Sequence, residues 1–186
     1  MTSPPARFAA TVAPALLACI STGLQKPAAP DLFALDPPLA VPAARAAPPP
    51  APIAVAAPRA VPALDSSRMV YVQREHEVRY FARSAWVAPP ARMLAPLLAS
   101  ALEARGAFRV VRDAAAEAPP RLRLESELLR LQQEFTARPS QVRLVLRVQL
   151  TDAASRRALG DDTVEVIERA PSDDPYGGVL AANAAA

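Results

Sequence analysis

The sequence predicts an α+β domain: a mostly antiparallel sheet with two helices packed on one face, preceded by a signal peptide and a proline-rich tether. Three observations carry this expectation. Val142, Leu144, Leu146, Val148 and Leu150 alternate with Arg143, Arg147 and Gln149, the period of a half-buried strand. Met93, Leu94, Leu97, Leu98, Ala101 and Leu102 recur at three- and four-residue spacing, the period of an amphipathic helix. The elements read in the order strand, hairpin, helix, three or four further strands, helix, which is an α+β arrangement.

The chain has 186 residues, room for one domain, with 22 prolines but only 5 glycines. Many of the prolines lie between Lys26 and Pro62, in runs such as Ala47-Pro48-Pro49-Pro50. Alanine and proline offer little apolar area, so this stretch cannot build a core. The net charge is +3, but arginines and acids are interspersed and Lys26 is the sole lysine. A nucleic-acid surface would show a clustered basic patch, and none is present.

From the N-terminus, Arg7 supplies a modest positive region and Phe8 to Ala18 an apolar stretch. That stretch is too short to span a bilayer, which takes about 20 apolar residues, and it fits the core of a secretory signal. Leu16-Leu17-Ala18-Cys19 resembles the lipobox of bacterial lipoproteins. The resemblance implies cleavage between Ala18 and Cys19 and acylation of Cys19, a membrane attachment that two or more acyl chains make stable. Cys19 is the only cysteine, so no intrachain disulfide forms. Ile20, not aspartate, follows it, which by the same resemblance favours the outer membrane. The expected organisation is a signal peptide at 1–18, an acylated cysteine and tether at 19–52, and a folded domain at 53–186.

Within the tether, Phe33 and Leu35 alternate, the pattern of a short edge strand. Ile53 to Ala56 is a short strand ended by Pro58. Met69–Val72 and Val78–Phe81 flank polar Gln73–Glu77 and read as a hairpin. Pro89 and Pro90 suit a helix start, and Gly106 a helix end. Pro96 must sit in the first turn or kink that helix. Phe108–Val111 is the next strand. Arg121 to Phe135 places Leu122 and Leu124 on one face, then Leu129, Leu131 and Phe135 on the other, so a bulge is expected near Glu127-Leu128. Arg138-Pro139-Ser140 turns the chain into the strand at 141–151. Asp152 to Ala158 turns it again into Thr163–Ile167. Ser172 or Asp173 would cap a last helix containing Val179 and Leu180.

No catalytic constellation is visible. His76 is the only histidine and sits in a turn, without the cysteine or histidine partners of a metal site. No G-x-S-x-G or phosphate-binding glycine loop occurs. Glu125 and Glu127 share one strand face, which reads as a solvated face sooner than a carboxylate dyad. Trp86 reads first as a core or domain-edge anchor; the second reading is a partner contact, with the docking surface formed by exposed apolar residues near it. No cofactor, metal or enzymatic activity is expected.

Tyr80-Phe81-Ala82-Arg83-Ser84-Ala85-Trp86 leading into Pro89-Pro90-Ala91-Arg92-Met93-Leu94 resembles a segment of the ABC-type transport auxiliary lipoproteins, which include the paraquat-inducible lipoprotein C type. Leu102–Val111, Leu122–Phe135, Val142–Asp152 and Ala181-Ala182-Asn183, matched to the start of the family's final helix, extend the resemblance over roughly residues 51–186. The stretch at 36–52 is longer than the family pattern, and the chain ends at Ala186 inside that final helix. The resemblance implies an outer-membrane lipoprotein on the periplasmic face, working with a periplasmic MCE protein and an ABC permease and ATPase in lipid transport. It is compatible with a homo-oligomer. A structural lipoprotein of outer-membrane or appendage assembly is the alternative, and a cytosolic enzyme would require the lipobox to be accidental.

Overall fold

The computed structural model describes residues 28–38, 51–111 and 120–186; the signal peptide, Ala18, Cys19 and residues 39–50 of the tether lie outside them. Nine strands form one sheet: β1 (Asp31–Phe33), β2 (Ala51–Val55), β3 (Arg59–Ala60), β4 (Arg68–Val72), β5 (Arg79–Trp86), β6 (Phe108–Val111), β7 (Leu122–Glu134), β8 (Gln141–Asp152) and β9 (Ala158–Arg169). Helix α1 (Pro90–Arg105) joins β5 to β6, α2 (Pro175–Ala185) follows β9, and a 3-10 turn covers Pro62–Leu64.

β7 is the spine. One edge pairs antiparallel with β8, from Leu122 opposite Asp152 to Glu134 opposite Gln141. The other edge takes β2, β3 and β4 in succession, all parallel. β2 then pairs with β6, and β4 with β5, which carries β1 at the rim. The sheet is therefore mixed, and the expected mostly antiparallel sheet is corrected. Only β4/β5, β7/β8 and β8/β9 are antiparallel. Side-chain alternation is the same in both orientations, so direction is set by the path of the connections, which alternation does not encode.

The expected bulge is present. Register shifts between Leu128 and Arg130, leaving Leu129 without a partner on β8. The extra residue lets Leu128 and Leu131 both enter the core, at 0% and 2% exposure. β8 buries Val142, Leu144 and Leu146 beneath the helices, as its alternation predicts. Leu94 and Leu97 of α1 and Val179, Ala181 and Ala182 of α2 join this same core, so both helices lie on one face.

Helix α1 starts with Pro90 at its first position and ends at Gly106, whose φ of 79° is left-handed and whose N–H donates to the Glu103 carbonyl at 3.0 Å. Pro96 lies in the helix interior on its exposed side, where its missing N–H costs one bond to Arg92. The cap of α2 is Asp174, not Ser172 or Asp173: its carboxylate accepts from Gly177 N–H at 2.7 Å. Asp174 precedes Pro175, which forces the extended backbone a cap needs. Asp173 accepts instead from the Ser140 N–H at 2.6 Å, tying the loop before α2 to the start of β8. Ala181-Ala182-Asn183 lie in the second half of α2, not at the start of a helix.

Candidate functional surfaces

The N-terminal approach to the fold is the first surface. Phe33 pairs with Trp86 and Leu32 with Ala85 at the sheet rim. Beyond β1, Leu35 is buried in the core and its N–H points at the Met93 sulfur of α1, 3.5 Å away. Asn183 of α2 grips the same stretch from the other side. Its amide nitrogen donates to the Ala34 carbonyl at 3.0 Å and its oxygen accepts from the Asp36 N–H at 2.7 Å. Residues assigned by sequence to the tether, 31–38, are thus part of the folded body, held in the cleft between two helices. Eleven residues, 20–30, separate Cys19 from Asp31, a reach of roughly 40 Å at full extension.

This clamp makes a prediction. Asn183→Ala removes both bonds to the strap, at a cost of about 1–2 kcal/mol. The Asp36 amide should then exchange with solvent several times faster, by roughly tenfold for that energy. Unchanged exchange would mean that burial of Leu35 alone holds the strap.

Trp86 is 4% exposed and sits in the core cluster, so its indole has little surface to offer a partner. Its side chain packs on the helix-bearing face with Leu35 and Leu94, so a partner contact, the second reading, would require the indole to leave the core. Apolar exposure near it falls on Leu32 and Val87, at 62% and 55%. The Val87 N–H donates to the Phe33 carbonyl at 2.8 Å, so the two exposed side chains lie close together on the rim.

The sheet face away from the helices is polar. A row crosses three strands there: Glu134 of β7, Arg143 of β8 and Glu165 of β9. Arg143 grips Glu134 with two bonds of 2.8 and 3.1 Å and also pairs with Glu165. Hydrogen bonding to Glu134 and then Glu165 raises the Arg143 pKa. Burial pushes the Glu134 carboxyl up, but bonds from Arg143, Gln141 and Gln132 outweigh it and the net shift is downward. A second row joins Arg147 to Asp161 at 2.8 Å. Glu125 accepts from Arg123 at 3.0 Å, and Glu127 lies opposite Arg147. Glu125 is thus paired along its own strand, while Arg147 opposite Glu127 pairs with Asp161, so the two carboxylates do not act on each other as a dyad.

An open depression of about 550 Å³ lies between the β4–β5 turn and this face. Of its acids and bases, Glu77 pairs with Arg74 and Arg79, and Glu134 with Arg143. His76 sits in that turn with a left-handed φ of 64°, as the hairpin reading placed it. Among the described residues no group of His, Cys, Asp and Glu could hold a metal ion, and no helix is long and apolar enough to cross a membrane.

Several carboxyls are held below their ordinary range. Asp152, the last residue of β8, accepts from the Ser155 backbone and from Arg121, and its pKa is lowered by those bonds in that order. Asp173 and Asp174 are lowered by backbone N–H donors at Ser140 and Gly177. The unfolded chain therefore binds protons first as pH falls, so these groups stabilise the fold above about pH 4 and their contribution is lost below it. The urea midpoint should be lower at pH 3 than at pH 6, and Glu134→Gln should reduce the difference. Equal midpoints would show these carboxyls to be no better placed folded than unfolded.

The chain is similar to known proteins in sequence and in shape. A family model described as the ABC-type transport auxiliary lipoprotein component matches residues 33–186. A crystal structure of a protein from Xanthomonas campestris superposes with a TM-score of 0.70 at 20% identity, covering 83% of this chain and 86% of that one. A crystal structure of an uncharacterized protein gives 0.66 at 10% identity, covering 84% and 91%. At these identities the likeness concerns the fold alone. No curated protein matches.

Proposed function

The chain belongs to the ABC-type transport auxiliary lipoprotein component family, and on that premise we propose that it is an outer-membrane lipoprotein anchored through Cys19. It serves as a non-catalytic binding and assembly module of an MCE-type lipid transport system, on the periplasmic face, beside a periplasmic MCE protein and an ABC permease and ATPase. The family match over 33–186 carries this reading. The chain's route into the fold supports it: an anchor at Cys19 would pull on β1 and Leu35, the segment that α1, α2 and Asn183 hold. Such an arrangement suits a body kept on a short leash. The ion pairs that Arg143 and Arg147 make across the outer face support a scaffold over an active site.

The test is acylation. Expressed full-length in a Gram-negative host with an alkyne fatty acid, the wild type should take up label and fractionate with the outer membrane. Cys19→Ala should take up none and leave that fraction. Its partners should then co-purify with the labelled protein, and genes for a permease, an ATPase and an MCE protein should adjoin its own. An unlabelled wild type in the cytoplasm sinks the anchor and the transport role together. A labelled protein that co-purifies with assembly factors instead favours a structural envelope lipoprotein.

A further inference from the structure

β9 is the long free edge of the sheet. It runs 12 residues, about 40 Å at strand rise, and among the described residues only β8 pairs with it. The other rims are short: β1 has three residues and β6 four. Ten of the 12 residues of β9 are exposed, and its pairing with β8 is regular from Gly160 to Arg169. Such an edge presents a row of unpaired N–H and C=O groups, and proteins blunt it with proline, lysine, a bulge or a covering element, or bias it with other charged side chains. From Gly160 onward β9 has none of the first three, and α2 packs on the sheet face, leaving the edge itself open.

What β9 has is acid. Asp161, Asp162, Glu165 and Glu168 face one arginine, Arg169, for a net charge of −3. Arg147 and Arg143 neutralise Asp161 and Glu165 on the outer face. Asp162 and Glu168 alternate with Val164 and Val166 on the helix-bearing face, and among the described residues no arginine pairs with either. A second copy of β9 laid alongside would bring the unpaired Asp162 and Glu168 of both strands together, and like charges across a strand pair are destabilising. The acids therefore guard against self-pairing while favouring a strand of opposite charge. Val164 at 44% and Ile167 at 46% exposure give such a strand apolar contact on both faces.

We propose that β9 is a docking edge onto which a partner protein adds an extended strand bearing arginine or lysine alternating with apolar residues. The proposal rests on the transport-module reading for what the partner does, and β9 is the element by which this module would hold it. Main-chain bonds supply the attachment and charge sets the choice of partner.

The test uses the purified full-length protein and two synthetic strands, one alternating arginine with valine, the other glutamate with valine. Amide exchange of β9 is followed by NMR. The arginine strand should slow exchange of the outward β9 amides by about tenfold, less at high salt, while the glutamate strand has no such effect. Methylating alternate backbone nitrogens of the arginine strand should abolish the protection. In the double variant Asp162→Lys, Glu168→Lys, the preference should reverse. Protection by neither strand, or equally by both, overturns the proposal. So does β9 protection without peptide that grows with protein concentration, since a second copy is then the occupant. The wild-type comparison stands even if the double variant folds poorly. Cys19 labelling does not enter this measurement, so failure here leaves the anchor intact, and failure of the anchor leaves this result readable.

Discussion

Gly177→Ala should unseat the C-terminal helix. Alanine is ordinarily the better helix former by about 1 kcal/mol, so the intrinsic expectation is a gain in stability. The packing reverses the sign. A Cβ at Gly177 would lie 2.9 Å from the Ser172 carbonyl carbon and closer still to its oxygen, which is backbone and has no rotamer to change. At Gly178 a Cβ would lie 2.7 Å from Cδ of Gln133. That side chain is 3% exposed and held by bonds from its nitrogen to Ser140 Oγ at 2.9 Å and the Asp174 carbonyl at 3.1 Å. The first clash must shift the Ser172 loop or the first turn of α2, loosening the Asp174 cap; the second must displace Gln133 of β7 and break its bond to Ser140. The expected net loss is about 2–4 kcal/mol for Gly177→Ala and about half that for Gly178→Ala, whose obstacle is a side chain. Urea midpoints measure both. If either variant is as stable as the wild type, α2 is not seated as closely as the geometry states.

Trp86→Ala should cost about 3–5 kcal/mol, the usual toll for deleting a large aromatic from a core. Trp86 is 4% exposed and shares a cluster with Leu35, Leu94, Leu131 and Val142, drawn from both helices' surroundings and the central strands. Trp86→Phe keeps most of the volume and should cost about 1–2 kcal/mol. The two readings of this residue separate here. As core, its loss lowers the midpoint, and whatever molecules remain folded bind a partner as before. As a partner contact, its loss would weaken binding with little change in midpoint. The second outcome would require the indole to leave the core on binding. Leu32→Ser or Val87→Ser, by contrast, should leave stability within about 0.5 kcal/mol, because both side chains are largely in water.

Much of the local structure was legible from the residues. The phase switch between Leu124 and Leu131 carried the bulge, because a strand can show both faces to one core only by inserting a residue. Gly106 marked the end of α1, because glycine takes a positive φ without penalty. The family was legible from the order of segments between Tyr80 and Asp152. The cap of α2 was missed by one residue: the signal was there in Asp174-Pro175, since the residue before proline is extended.

The candidate surfaces were less legible, and for one reason. Sequence pattern reports period and backbone preference, which are local. It says nothing about which distant segment fills a given edge or face. That β2, β3 and β4 run parallel along β7 follows from the path of the chain, not from alternation. Trp86, read first as a core or domain-edge residue, lies at the rim beside Phe33, some fifty residues earlier, a pairing that no local pattern announces. Asn183 reaches back to Ala34 and Asp36, and Gly178 meets Gln133, contacts of long sequence separation with no periodic trace. By itself the sequence determined the helices, most of the strands, their inward faces and the family; the tertiary structure alone decided the short β3, the full length of β5 and β9, the strand directions, what covers them, and which edge is left open.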